Sequence, residues 1–193
     1  MMLQQCQALL AATRTGTGCC APEGSPCWRT GQSVLRMAAA YESDGRTFTA
    51  AGDPVNALAA FLYGLGWLHC GLASGLLVTA GNPPGCPFTG TFEPVPASEH
   101  VKLDEKTVRY ARLLDTAIAS VIPAPDPGVP SHAFAVQVRF IASLYLIRGN
   151  RQAAAGKQVD ALACFSYGHG WLDAGVETGL FSILAHREIF TVD

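Results

Sequence analysis

His169, Asp173 and Glu177 stand four residues apart in the stretch "SYGHGWLDAGVE". On a helix, side chains at i and i+4 project from one face, so an imidazole and its neighbouring carboxylates can share one metal ion or relay one proton. Such a site needs a further ligand from another helix, as bundle-core sites do, and the sequence names none. The plainer chemistry is a solvated helix face with a His–Asp pair worth roughly a few tenths of a kcal/mol. Tyr167 and Trp171 frame the trio and suit core or interface aromatics that bond through one polar atom. Ionisable groups do chemistry where burial perturbs them. The elements that carry these residues therefore decide between the two readings.

Those elements are duplicated. Offset by 104 residues and without a gap, Val34–Val78 lies on Val138–Ser182 with 20 of 45 positions identical, far above chance. "GDPVNALAAFLYGLGWLHCGLASGLL" is thus a copy of "GKQVDALACFSYGHGWLDAGVETGLF". In the first copy the places of His169, Asp173 and Glu177 are held by Leu65, His69 and Ala73.

Each copy reads as three helices, and no segment sustains strand alternation, so the fold class is all-α. Helices are expected near Leu3–Thr13, Gln32–Ala51 and Pro54–Thr79, then Glu105–Val121, Ser131–Ala155 and Lys157–Phe190. Asp53, Asp104 and Ser131 are candidate N-caps, with Gly52 and Pro54 completing the turn before the third helix. The expected organisation is a first unit over 1–80, a Pro/Gly-rich linker over 81–103 and a second unit over 104–193, packed as a pseudo-twofold bundle. On a helical wheel Ala57, Ala60, Gly64, Gly71 and Gly75 form one narrow stripe, matched by Ala161, Cys164, Gly168, Gly175 and Gly179. Small residues in a stripe let another helix approach closely. With Trp67 and Trp171 beside them, the glycines are expected to be a structural seam rather than a ligand groove. The opposite face is apolar in the first copy (Leu58, Leu62, Leu65, Leu76), which predicts that this helix is covered by the second unit or by a partner chain.

Composition narrows the function classes. Net charge is −2 with no Lys/Arg cluster, which argues against nucleic acid as the main partner. No Asp, Glu, Lys or Arg falls between Asp53 and Glu93, a length that fits a membrane span. The second copy carries Asp173 and Glu177 in mid-helix, costly at a bilayer centre, and two copies of one fold share one solvent, so no membrane span is expected. The N-terminus has neither a basic n-region nor a long apolar h-region, so no signal peptide is expected and the location is read as cytoplasmic. Of seven cysteines, Cys19, Cys20, Cys27 and Cys86 lie in Gly/Pro-rich loops, either as ordinary thiols or as a four-thiolate metal site with awkward spacing. No cofactor motif is present.

The run Tyr167, His169, Gly170, Trp171, Leu172, Asp173, Ala174, Gly175, preceded by a Gly-containing turn, resembles the small archaeal proteins grouped as domain of unknown function 357. The resemblance covers each half, and the first half departs at Leu65 and His69. It implies three-helix units in an archaeal cytoplasm, no established activity, and two fused copies that mimic a homodimer of single-copy relatives. The expected role is a non-enzymatic module that binds a partner protein or associates with itself. The alternative is a small-molecule- or metal-binding protein, or an enzyme, using His169 and Asp173.

Overall fold

The computed structural model describes residues 3–80, 88 and 90–191. Among the described residues six α-helices build two tandem units: α1 (Leu3–Thr15), α2 (Pro26–Ala50) and α3 (Pro54–Ala73), then α4 (His100–Ala119), α5 (Pro130–Ala154) and α6 (Gln158–Glu177). The fold is all-α, but each unit adds a small antiparallel ribbon that three-residue strands hide from any periodicity test. β1 (Thr17–Cys19) pairs with β2 (Leu77–Thr79), and β3 (Val121–Pro123) with β4 (Phe181–Ile183). Each ribbon ties the loop after a unit's first helix to the segment after its third.

The ribbons correct the expected ends of the third helices. α3 stops at Ala73 and α6 at Glu177, short of Thr79 and Phe190. Gly75 (φ 77°) and Gly179 (φ 76°) therefore lie outside the helices, in the left-handed conformation that lets the chain turn into β2 and β4. They leave the glycine stripe.

The caps also differ in part. Asp53 caps α3 through the Asn56 amide at 3.1 Å, and its carboxylate also meets Lys102 of the second unit. α2 begins at Pro26, earlier than Gln32, because Ser25 accepts from the Trp28 amide at 3.1 Å and Pro26 supplies a preset first turn. Asp104 and Ser131 are not caps. α4 starts at His100, continuing a 3-10 turn over Ala97–Glu99, and α5 starts at Pro130, which puts Ser131 inside the first turn.

α3 and α6 form the central pair. At their crossing the backbones touch: a Cβ on Gly66 would collide with the Tyr167 carbonyl, and one on Gly170 with the Tyr63 carbonyl. These clashes are exact counterparts under the 104-residue offset, which is the signature of isologous packing. The other glycines act within a unit. Gly64 lies against Tyr41 and Leu10 of the first unit, and Gly168 against Tyr145 and Leu114 of the second. Gly71 faces Val34 and Leu77, and Gly175 faces Val138 and Phe181. Trp67 and Trp171 are buried beside these contacts.

Leu62 and Leu65 are buried, and α6 is the element that packs most heavily on α3, so the apolar face of the first copy is covered by the second unit. Among the described helices only α3 is long and apolar enough to cross a membrane, and most of it is buried inside the protein.

Candidate functional site

The crossing of α3 and α6 positions two reciprocal polar pairs. The Tyr63 hydroxyl donates to Oδ2 of Asp173, and the Tyr167 hydroxyl lies 2.6 Å from Nδ1 of His69. Under the offset, Tyr63 corresponds to Tyr167 and His69 to Asp173. Each tyrosine thus meets the other unit's residue at one repeated position. Burial, reinforced by the Asp173 charge, raises Tyr63 well above the usual phenol range, so it stays a donor. Burial lowers His69 to about 4, so its imidazole is neutral at pH 7.

His169 and Asp173 are not on a solvated face. They are 6% and 0% exposed. Oδ2 of Asp173 also accepts from the Thr191 amide at 3.1 Å, while Oδ1 has no partner among the described residues. Nε2 of His169 is likewise buried and unpartnered, 3.6 Å from that oxygen, which is beyond hydrogen-bond range. Glu177 does not join them; its carboxylate accepts from the Ser33 hydroxyl on α2. The sequence trio is therefore a buried dyad plus an inter-unit clamp.

The segment that follows each ribbon covers the opposite unit. Thr191, after β4, sets its hydroxyl 3.1 Å from the Tyr63 hydroxyl and 3.5 Å from that of Tyr41. Phe88, after β2, packs against both Tyr145 and Tyr167 with centroid distances of 4.9 and 5.2 Å, tilted to the first ring and edge-on to the second. Arg148 lies 4.8 Å over the Phe88 ring and donates to its carbonyl, while the Phe92 amide donates to Asp160. The duplication has made two equivalent clefts, each walled by a tyrosine pair: Tyr41 with Tyr63 (4.3 Å) and Tyr145 with Tyr167 (4.6 Å). Phe88 fills the second. The first is a cavity of about 360 Å³ between the units, reached by Tyr41, Tyr63, Lys106, Tyr110, His169 and Thr191. A larger hollow of about 670 Å³ lies beside Phe92 and the start of α6, away from His169 and Asp173.

The sequence reading missed the roles of Tyr63, Thr191 and Phe88. The signal available for Tyr63 was the alignment itself, which places a His and an Asp at one repeated position and a tyrosine at another.

Cysteine chemistry is muted. Cys6, Cys70 and Cys164 are buried, and desolvation pushes each thiol up to about 12. Cys19 accepts from the Gln32 side chain at 3.3 Å, Cys20 and Cys27 are exposed, and Cys86 lies outside the described residues. Among the described residues no three His, Cys, Asp or Glu side chains gather as a metal site.

The outer face of α5 is the other unusual surface. Val136, Phe140, Leu144 and Ile147 fall on one helical stripe and are 45–60% exposed. The aligned residues of α2 are Gln32, Arg36, Ala40 and Ser43. Helix α5 holds Arg139, Arg148 and Arg151 and no acidic residue.

A family model described as "Protein of unknown function (DUF357)" matches residues 7–77 and again residues 109–181. No curated protein and no solved structure gives a match.

Proposed function

We propose, for a chain that belongs to the DUF357 family of proteins of unknown function, a non-enzymatic role: an interaction module that presents the outer face of α5 to a partner protein. The observation that carries this reading is the stripe Val136–Phe140–Leu144–Ile147, apolar and open where the duplicate face on α2 is polar. Two copies of one fold in one solvent have no folding reason to differ in this way. Apolar side chains in a continuous exposed strip mark contact surfaces. The basic flank of Arg139 and Arg151 suits an occupant with apolar anchors and acidic edges. The pseudo-twofold contact of α3 with α6 is satisfied within the chain, which leaves α5 as the face free for another protein.

Phe140→Arg tests this, because the twin already carries Arg36 at the aligned place and tolerates it. Cross-linking in native cells, followed by titration of the purified partner, is expected to show binding that Phe140→Arg weakens at least about tenfold. Partner binding that survives the substitution overturns the reading. So does a chain whose α5 face engages only anionic vesicles. A dimer that Phe140→Arg dissolves in sedimentation analysis makes the partner a second copy of the chain, the self-associating form of the same role.

A further inference from the structure

The two clefts made by the duplication differ in one informative way: the second holds a ring. Phe88 packs against the Tyr145–Tyr167 pair with Arg148 over its ring, so the fold itself shows what this cleft accommodates. The first cleft keeps the tyrosine pair, Tyr41 and Tyr63, and adds Tyr110 where the aligned residue is Cys6. No aromatic side chain of this chain is aligned with Phe88 there; the aligned residue is Val192, outside the described residues. A cavity of about 360 Å³ is large enough for a single-ring molecule.

Two substitutions between the clefts add hydrogen-bond donors. His169 stands where the first copy has Leu65, and Lys106 where it has Met2. Both reach the open cavity. His169 is buried, and among the described residues its Nε2 has no partner although Oδ1 of Asp173, likewise without one, waits 3.6 Å away. Two buried polar atoms left unsatisfied side by side are costly, and a small movement of the imidazole toward the carboxylate closes the gap. Such a movement is natural if an anionic occupant of the cleft accepts from the other ring nitrogen, since an imidazolium donates from both. Lys106 makes no ion pair among the described residues.

We propose that the first cleft binds a small aromatic acid, its ring packing on Tyr41 and Tyr63 as Phe88 packs on Tyr145 and Tyr167, and its anionic group meeting Lys106 and His169. Tyr41, Tyr63 and Tyr110 supply aromatic walls, for which offset or edge-on ring contacts are favourable. Asp173 and Thr191 hold Tyr63 in position, so the wall is preorganised before the ligand arrives. Asp44, exposed and aligned with Arg148, also lines the cavity and repels the anionic group from its own edge. This site is separate from the α5 face and stands or falls without it.

Benzoate, cyclohexanecarboxylate and benzyl alcohol are the probes, titrated into the full chain by calorimetry and by NMR of the histidine ring C–H signals. Benzoate is expected to saturate with a Kd below about 1 mM, and the other two to bind at least about tenfold more weakly, because ring and charge are both read. The His169 signals shift on benzoate binding. His169→Leu and Lys106→Met copy residues that the first unit already carries, and each is expected to weaken benzoate at least about tenfold while Phe140→Arg leaves it unchanged. Failure of benzoate to saturate overturns the proposal, as does equal affinity for cyclohexanecarboxylate. Saturation without a shift at His169 in the parent protein overturns it too, whatever the variants do.

Discussion

Acidification from pH 7.5 to 5.0 is expected to destabilise the fold through His69. Burial holds its imidazole at about 4 in the folded protein, against 6.5 for the free group. Between those values the unfolded chain takes up a proton that the folded chain refuses. The contribution is therefore complete above pH 6.5, falls as pH drops, and is gone near pH 4. At about 1.4 kcal/mol for each tenfold step, the whole gap sets a ceiling of about 3 kcal/mol, of which about 2 kcal/mol is lost by pH 5. Partial exposure of the residue discounts the loss at pH 5 to about 1–2 kcal/mol. The assay is urea unfolding followed by tryptophan fluorescence at several pH values, for the parent and for His69→Gln. The glutamine is neutral throughout and keeps an amide for Tyr167, and every other titrating group cancels in the difference. The stability gap between the two proteins is expected to shrink by about 1–2 kcal/mol from pH 7.5 to 5.0 with an unchanged urea slope. Parallel pH profiles would refute the reasoning, because they would mean that His69 titrates alike in both states.

Two substitutions probe the crossing itself. Gly170→Ala drives a methyl group into the Tyr63 carbonyl and Gly66→Ala into the Tyr167 carbonyl; each is expected to cost about 3 kcal/mol or to prevent folding, read as a loss of melting temperature. Tyr63→Phe removes the hydroxyl that serves Asp173 and is expected to cost about 1.5–3 kcal/mol, whereas Tyr167→Phe, facing a neutral imidazole, costs about 1 kcal/mol. Equal losses from the two tyrosines in urea unfolding would contradict the unequal worth of a carboxyl and an imidazole acceptor.

The architecture was legible because duplication and helical periodicity leave strong marks. Gly52, Asp53 and Pro54 announce the start of α3, and the repeat predicts the pairing of units. The ends of α3 and α6 were not legible, since Leu76 and Leu77 keep the apolar pattern running past Ser74 while Gly75 turns the chain aside. The start of α2 hid among cysteines, prolines and glycines around Ser25. His169 and Asp173 were legible as chemistry but not as buried chemistry. A polar face opposite a glycine stripe looks solvated until a second helix is known to lie on it, and Gly66 and Gly170, the residues that bring that helix close, sit off the stripe. Phe88 and Thr191 were invisible for a further reason: their contacts with Tyr167 and Tyr63 span more than fifty residues and cross from one unit to the other.

The crossing-over of the covering segments has a consequence for how the protein is made. Phe88 leaves the ribosome before Tyr145 and Tyr167 exist, whereas Thr191 arrives after α6 has been synthesised. The first unit thus waits for its last partner until the second unit has been made, with Tyr63 lacking its Asp173 acceptor in the meantime. A nascent chain arrested after α3 is expected to be protease-sensitive at residues that the finished protein protects. Order of synthesis makes the two halves unequal in time, although the fold makes them nearly equal in space.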